Sequence, residues 1–309
     1  MSGTDAPPPP DPGTEQRRCG FVAILGAPNA GKSTLLNRLV GAKLSAVSPK
    51  PQTTRFRVRG IVMRGPAQIV FVDTPGIFSP RRLLDRAMVK AAWAGAQDAD
   101  IALLLVDAKT GLTEEVRAIA ERLKETDRRL WLALNKIDLV EKPSLLPLAE
   151  ALNAITSFQE TFMISATEGD GLDRLLDRLA EALPEGPWLF PEDDLSDLPD
   201  RLLAAEIVRE QIYHQTREEV PYDTTVETEA WEEREDGSVA IRCAIVCAKE
   251  GQKGILIGKG GQRLKAIGSR ARLELERELG RRVHLFLHVL VREGWDEERA
   301  RLRAMGLEP

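Results

Sequence analysis

The segment from Gly26 to Ser33, which reads GAPNAGKS, fits the phosphate-loop pattern GxxxxGK[ST]. Gly26 and Gly31 permit a loop whose backbone N–H groups point at phosphate oxygens, and the helix that follows adds the positive end of its dipole. Lys32 would supply a charge for the β- and γ-phosphates, and the Ser33 hydroxyl would be a ligand for Mg²⁺. The motif lies between an apolar run, FVAIL, and a helical pattern, as this chemistry requires. The residues predicted to contact nucleotide here are Gly26, Ala27, Pro28, Asn29, Ala30, Gly31, Lys32, Ser33 and Thr34.

A second phosphate element, DTPG, follows the apolar run QIVFVD. Asp73 is predicted to hold Mg²⁺ through water, and the Gly76 N–H to bond the γ-phosphate. Thr74 and Pro75 complete the predicted contact. A DxxG alone is more often an ordinary turn, but the phosphate loop upstream favours a nucleotide site.

The base is indicated by NKID, which ends the run LWLALNKID. The Asp138 carboxylate can accept from both N1–H and the 2-amino group of guanine, whereas adenine offers an acceptor at N1 and no 2-amino donor. A site built this way rejects the wrong base by about 10⁴-fold or more, so Asn135, Lys136 and Asp138 predict GTP. Ser165 and Ala166, after the run TFMIS, are expected to give a backbone N–H to guanine O6.

Two residues predict how hydrolysis proceeds. Ile77 stands where many small GTPases have a glutamine that orients the attacking water, so slow intrinsic turnover is expected. Asn29 resembles the asparagine that supports a bound K⁺ in related GTPases with this hydrophobic substitution. A purely structural loop asparagine is the alternative.

The loop KPQTTR lies between the two phosphate elements. Either Thr53 or Thr54 could close on Mg²⁺ when a γ-phosphate is present. The sequence alone does not choose between them.

Farther along the chain, the segment ILIGKGGQRLKAIG places a GxxG turn between two helical patterns. Such a turn lets backbone N–H groups and a lysine approach a single-stranded sugar-phosphate chain, although a glycine connection in a helix-turn-helix is the alternative. Residues 249–292 carry 11 Lys and Arg against 4 Asp and Glu, a net charge of +7 in a chain of net charge -5. This local basic charge favours RNA binding. The predicted contacts are Gly258, Lys259, Gly260, Gly261, Arg263 and Lys265.

The amino-acid composition limits the classes of protein to which the chain can belong. With 309 residues, 43% hydrophobic and 29% charged, the chain is expected to form two soluble domains. Three cysteines are too few for a disulfide framework, so a reducing cytosol is expected, with Cys243 and Cys247 as buried thiols on one face of a strand. His284 and His288 are expected to be packing or edge residues. No apolar stretch approaches the roughly 20 residues of a membrane span.

The order of patterns sets the fold class. Apolar runs alternating with helical patterns predict an α/β domain, a mainly parallel sheet with helices on both faces. After a Pro-rich, acidic stretch, the order helix, strand, strand, helix, helix, strand predicts a second, α+β domain of the type II KH form. The expected divisions are a disordered Pro-rich extension at 1–18, a nucleotide-binding domain at 19–183, a linker at 184–199, an RNA-binding domain at 200–295 and a tail at 296–309.

Taken together, GAPNAGKST, PQTTR, DTPGI, NKID, SA, EVPYDT and LIGKGG resemble the Era family of bacterial GTPases over about residues 19–295. The resemblance favours Thr54 over Thr53 as the Mg²⁺ ligand and assigns hydrolysis to Lys32, Thr54 and Gly76. It also implies binding of GTP and GDP, Mg²⁺ as cofactor, and binding to the 3′ end of 16S rRNA during small-subunit assembly and maturation. A cytoplasmic monomer with peripheral association at the inner membrane is expected on the same ground.

Two other classes remain as alternatives. A tRNA-modification GTPase shares the hydrophobic substitution, but the expected helical insert and C-terminal cysteine motif are missing from this sequence. A purely structural RNA-binding protein with a vestigial nucleotide site is disfavoured by intact Lys32, Asp73 and Asp138.

Overall fold

The computed structural model describes residues 16–308. The predicted N-terminal extension therefore lies outside the described residues as far as Glu15. The first strand begins at Arg18, which the sequence had assigned to that extension.

A six-stranded sheet forms the first half of the chain. Its order is β2-β3-β1-β4-β5-β6, and β2 alone runs antiparallel to its neighbour. The strand β2 was not predicted from the sequence. Because β1 lies between β3 and β4, the loop that follows β1 opens at the point where the strand order reverses, which is where such sheets bind ligands. The strands are β1 (Arg18–Leu25), β2 (Val58–Arg64), β3 (Ala67–Asp73), β4 (Ile101–Asp107), β5 (Arg129–Asn135) and β6 (Glu160–Met163).

Helices cover both faces of this sheet. They are α1 (Lys32–Val40), α2 (Leu83–Asp98), α3 (Glu114–Leu123), α4 (Leu145–Ile155) and α5 (Leu172–Ala182). One core contains α1 and α5, and the other contains α2, α3 and α4. Strands that are buried on both faces consist of near-continuous apolar residues. For this reason β1 and β3 to β6 could be predicted from the sequence.

The predicted linker lies along the β2 and β3 edge of the sheet. The Ile61 N–H donates to the Leu195 carbonyl at 2.9 Å, and the Trp188 indole N–H donates to the Pro66 carbonyl at 3.0 Å. The buried Gln68 amide also bonds the linker backbone at Phe190. The linker is therefore hydrogen-bonded to the sheet along its path to the second domain.

The second domain has the order of elements that the sequence predicts. They are α6 (Asp200–Gln215), β7 (Thr224–Glu233), β8 (Val239–Cys247), α7 (Glu250–Ile257), α8 (Gln262–Leu279) and β9 (Val283–Val291). The sheet order is β7-β8-β9, with β8 and β9 parallel. The three helices pack on one face, where Cys243 and Cys247 are fully buried, as expected. The result is the predicted KH architecture.

The C-terminal tail belongs to a buried apolar cluster that was not predicted from the sequence. A short helix, α9 (Arg299–Ala304), follows Trp295. The side chains of Trp295, Leu302 and Leu307 are buried against Leu84 and Met88 of α2 and against the outer face of β8. The tail therefore bridges the two domains.

Candidate nucleotide site and RNA-binding surface

The loop between β1 and α1 has the backbone conformation that its glycines predict. Gly31, at the start of α1, has φ +99°, and a Cβ there would lie 2.3 Å from the Asn135 side-chain nitrogen. Only glycine fits at this position. Asn29 also has a positive φ, +63°, which asparagine tolerates better than most residues.

Lys32 points into the loop. Its ammonium donates to the carbonyls of Gly26 and Ala27 at 3.1 and 2.9 Å. Burial lowers the pKa of this lysine to about 8, and the nearby Asp73 carboxylate opposes the shift. The Lys32 ammonium is thus held inside the phosphate loop. Phosphate oxygens would replace the two carbonyls as its hydrogen-bond acceptors.

Three side-chain oxygens meet beside Lys32. The Ser33 hydroxyl donates to Asp73 Oδ2 at 2.7 Å and lies 2.6 Å from Thr54 Oγ1. The neighbouring Thr53 hydroxyl donates instead to the Lys50 carbonyl at 2.9 Å. The geometry therefore places Thr54, and not Thr53, in the cluster.

The donor set suits a divalent cation that prefers oxygen. Asp73 is fully buried, and its second oxygen, Oδ1, has no hydrogen-bond partner among the described residues. Burial raises the pKa of this carboxyl, while the Ser33 hydroxyl and the Lys32 ammonium lower it. A buried, unpaired carboxylate oxygen next to two hydroxyls fits Mg²⁺, which takes hydroxyl and carboxylate oxygens together with water and phosphate.

The DTPG segment divides between the site and the core. Gly76 lies against Pro28 of the phosphate loop, where an added Cβ would approach to 3.0 Å. Thr74 faces inward, because its hydroxyl donates to the buried Ile24 carbonyl at 2.8 Å. This side chain was expected near nucleotide and instead fixes the strand end. The Ile77 side chain is also buried in the core, so it offers nothing to an attacking water.

The base-reading segment is tied to the phosphate loop. Asn135 is buried and donates to the Ala30 carbonyl at 2.8 Å. Lys136 donates to the Asn29 carbonyl at 2.8 Å and pairs with Asp107 Oδ2 at 2.6 Å. Asn135 and Lys136 therefore join the end of β5 to the phosphate loop.

The expected backbone donor to guanine O6 is already engaged. The Ala166 N–H donates to Asn135 Oδ1 at 3.0 Å, and the Ser165 N–H donates to the Asp170 carbonyl. In this arrangement both N–H groups hydrogen-bond within the chain, and their contact with guanine O6 stays a prediction. Asp138 is exposed in a 3₁₀ turn after β5, and its selection of guanine stays a prediction.

These elements surround a cavity of about 480 Å³. The predicted residues that line it are Pro28, Asn29, Gly31, Lys32, Ser33, Thr34, Thr54 and Gly76, with Lys136 at one end. Asp107 and the loop residues Ala46 to Pro49 also line the cavity and were not predicted from the sequence. Asp107 ends a predicted strand at the carboxyl edge of the sheet, a position that could have marked it.

The GxxG turn joins α7 to α8 as predicted. Gly258, Gly260 and Gly261 have φ of +73°, +60° and +78°. Lys259 is exposed on the turn, and Lys265 is exposed on α8. The Arg263 guanidinium donates to the Ile255 carbonyl at 2.7 Å, so part of its donor capacity is used within the domain.

A groove of about 380 Å³ continues from the turn between α8 and β9. Leu264, Gly268 and Arg272 line it from α8, and Leu285 and Leu287 line it from β9. None of these was predicted. Leu264, Gly268 and Arg272 follow the GxxG turn at intervals of three to four residues, which places them on one face of α8. Helical periodicity could therefore have identified the α8 side of the groove.

The fold and the two sites define a P-loop GTPase joined to a KH domain. Residues 21–136 match the family model described as 50S ribosome-binding GTPase, and residues 219–296 match the KH domain model. GTPase Era of Rhizobium meliloti (strain 1021) is 55% identical over 296 residues, covering 96% of this chain and 95% of that protein. GTPase Era of Caulobacter vibrioides is 53% identical over 309 residues.

Two solved structures extend the comparison. A variant of Aquifex aeolicus Era bound to GDP and AlF₄⁻ has a TM-score of 0.89 and 42% identity, covering 94% of this chain and 99% of that chain. Era in complex with MgGDPNP and nucleotides 1506-1542 of 16S ribosomal RNA has a TM-score of 0.90 over the same shares of the two chains. The chain belongs to the Era family of GTPases.

Proposed function

We propose that this GTPase is a slow GTP-hydrolysing switch that binds the 3′ end of 16S rRNA and assists assembly and maturation of the small ribosomal subunit. The observation that carries the proposal is the match along 94% of the chain to an Era bound to both MgGDPNP and that RNA segment. Residues of this chain would supply both sites that such a complex needs.

On the nucleotide side, each residue has a distinct role in the proposal. Mg²⁺, when bound, neutralises charge on the β- and γ-phosphates. Ser33 and Thr54 would hold it through their hydroxyls, and Asp73 would hold it through water. Lys32 would bind the phosphates, the Gly76 N–H would bond the γ-phosphate, and Asp138 would select guanine. After hydrolysis Gly76 would lose its bond to the γ-phosphate, and Thr54 would lose the Mg²⁺ contact that depends on that phosphate, so both segments would be sensitive to the nucleotide.

On the RNA side, the exposed turn at Lys259 would clamp the sugar-phosphate backbone, and Lys265 would extend the basic surface along α8. The groove beside β9 would receive the bases on its apolar wall of Leu285 and Leu287. Affinity is expected to fall as salt rises, because cationic contacts to phosphates release counterions.

The test is binding of a labelled RNA equivalent to nucleotides 1506-1542, measured by fluorescence anisotropy with a non-hydrolysable GTP analogue bound. We expect at least tenfold tighter binding than to a shuffled RNA of equal length. In the same preparation, excess unlabelled GTP should displace a fluorescent GDP while equal ATP should not. Equal affinity for both RNAs would contradict the RNA assignment, and displacement by ATP would contradict the nucleotide assignment.

The proposal includes a role for K⁺ at Asn29. The Asn29 amide nitrogen donates to the Pro49 carbonyl at 3.0 Å, and the amide oxygen would then ligate the monovalent cation. Replacing K⁺ by Na⁺ should then lower the hydrolysis rate severalfold in the native chain and have no effect in Asn29→Ala. An unchanged rate in Na⁺ would leave Asn29 with a structural role alone.

Two finer expectations follow from family membership: a monomeric chain and peripheral association with the inner membrane. None of the helices between residues 16 and 308 is long and apolar enough to cross a bilayer. Sedimentation equilibrium tests the first expectation. Flotation with vesicles of anionic lipid, with neutral vesicles as the control, tests the second.

A further inference from the structure

Arg55, the residue after Thr54, is anchored in the other domain. Its side chain is 4% exposed. Its guanidinium donates to three backbone carbonyls of the KH domain, at Thr224 (2.8 Å), Tyr222 (2.9 Å) and Pro221 (3.2 Å). Arginine is suited to this role because its planar guanidinium presents several N–H donors in a fixed geometry.

The turn that receives Arg55 is itself held from several directions. Trp295 is fully buried, its ring centroid lies 5.4 Å from the Arg55 guanidinium carbon, and its indole N–H donates to the Asp223 carbonyl at 2.9 Å. The Asp223 carboxylate accepts from Arg82 at 2.8 Å and from Gln252 at 2.9 Å. The turn that carries the acceptors for Arg55 is thus held in place at Asp223.

Other residues of the Thr54 loop contact α6 of the same domain. The Lys50 ammonium donates to the carbonyls of Tyr213 and Thr216, and the Tyr213 hydroxyl donates to the Gln52 carbonyl at 3.0 Å. Contacts with the KH domain therefore help to position this loop, although none of the predicted nucleotide-binding residues belongs to that domain.

We propose that Arg55 is a positioning residue for GTP hydrolysis, which holds Thr54 beside Ser33 by anchoring the loop to the Pro221–Thr224 turn and Trp295. Since the two residues are adjacent, displacement of Arg55 must move the Thr54 hydroxyl, which lies 2.6 Å from Ser33. The motifs PQTTR and EVPYDT are thereby explained as the two sides of one contact. The inference rests on the proposed role of Thr54 as an Mg²⁺ ligand.

The test compares Arg55→Lys with Arg57→Lys in the full chain. Lysine keeps the charge but lacks the planar guanidinium whose two terminal nitrogens reach the three carbonyls. Arg57 is two residues away and exposed, and it pairs with Asp98 at 3.1 Å on the surface, which makes it a matched control. For Arg55→Lys we expect kcat to fall at least tenfold, and affinity for the GTP analogue in Mg²⁺ to fall about tenfold. Affinity for GDP should stay within twofold, because GDP has no γ-phosphate to engage the loop. Arg57→Lys should match the native chain in all three measurements.

Trp295→Phe changes the KH-domain side of the same contact and keeps an aromatic ring beside the Arg55 guanidinium. It should lower analogue affinity in the same direction, and the double variant with Arg55→Lys should lose less than the sum of the two. This variant decides the question if Arg55→Lys does not fold.

Thr54→Ala, measured in parallel, separates this inference from the proposed function. Loss of analogue affinity in Thr54→Ala but not in Arg55→Lys overturns the positioning role and leaves the ligand role of Thr54 intact. Equal losses of GDP and analogue affinity in Arg55→Lys also overturn it, because they indicate a general structural role. No effect of Thr54→Ala overturns both.

Discussion

Thr54 Oγ1 lies 2.6 Å from Ser33 Oγ, although 21 residues separate them in the sequence. The two hydroxyls come from different segments, one at the start of α1 and one in the loop before β2. Their approach brings the hydroxyl of that loop to the hydroxyl at the start of α1, and the Ser33 hydroxyl also donates to the buried Asp73 carboxylate. A divalent cation can thus connect the phosphate loop with the segment held by the KH domain.

The first prediction uses the two adjacent threonines. Thr54→Ala should raise the Mg²⁺ concentration needed for half-maximal GTP hydrolysis and lower kcat at least tenfold, about 1.4 kcal/mol in activation free energy. Thr53→Ala is the control, because that hydroxyl bonds the Lys50 carbonyl. The measurement is phosphate release against Mg²⁺ concentration. Equal effects of the two substitutions would show that the loop, and not the Thr54 hydroxyl, matters.

The second prediction concerns the base. Asp138→Asn should shift preference from guanine to xanthine nucleotides, because an amide matches the altered base edge. Competition of GTP and xanthosine triphosphate against a fluorescent diphosphate measures the change, which we expect to exceed tenfold. Asp170→Asn, whose backbone carbonyl and not its carboxylate accepts from Ser165, serves as the control. Unchanged affinity for GTP in Asp138→Asn would refute the assignment.

Local sequence patterns predicted most of the nucleotide-binding fold. The strands β1 and β3 to β6 are long apolar runs, and the phosphate loop lies where its motif requires. β2 was missed because it is an edge strand in which Arg59 and Gly60 interrupt the apolar pattern. Edge strands are half solvated and so have weaker signals than central strands.

Contacts between distant segments could not be predicted in this way. Arg55 bonds Thr224 across 169 positions, and no local periodicity encodes that partner. The tail is a similar case. Trp295 and Leu302 are separated by charged residues in the sequence, and their apolar contacts include α2 of the first domain. Such residues are identified only when the fold brings them together.

The third prediction concerns the cysteines. Burial raises the pKa of the Cys243 thiol to about 11, so at pH 8 only about one molecule in a thousand carries the reactive thiolate. Burial also raises the pKa values of Cys19 and Cys247. Native protein should therefore not react with a disulfide reagent at pH 8 over many minutes, and unfolding in guanidinium should release three thiols. Rapid labelling of a thiol in the native state would contradict the burial.

The last prediction separates the two sites. Gly260→Asp should abolish RNA binding, because it places a carboxylate on the turn that must approach phosphates. Gly280→Asp is a close control: its φ of +63° matches the +60° of Gly260, and a Cβ at either glycine meets no atom within 4 Å among residues 16–308. Both substitutions carry the same charge and the same backbone strain. Since Gly280 ends α8 at the far side from the turn, its variant should retain RNA affinity within about threefold, and GDP affinity should be unchanged in both. Anisotropy with the labelled RNA and with fluorescent GDP provides the two measurements. If the two variants lose RNA affinity equally, net charge explains the loss, and if Gly260→Asp also loses GDP, the two sites do not act separately.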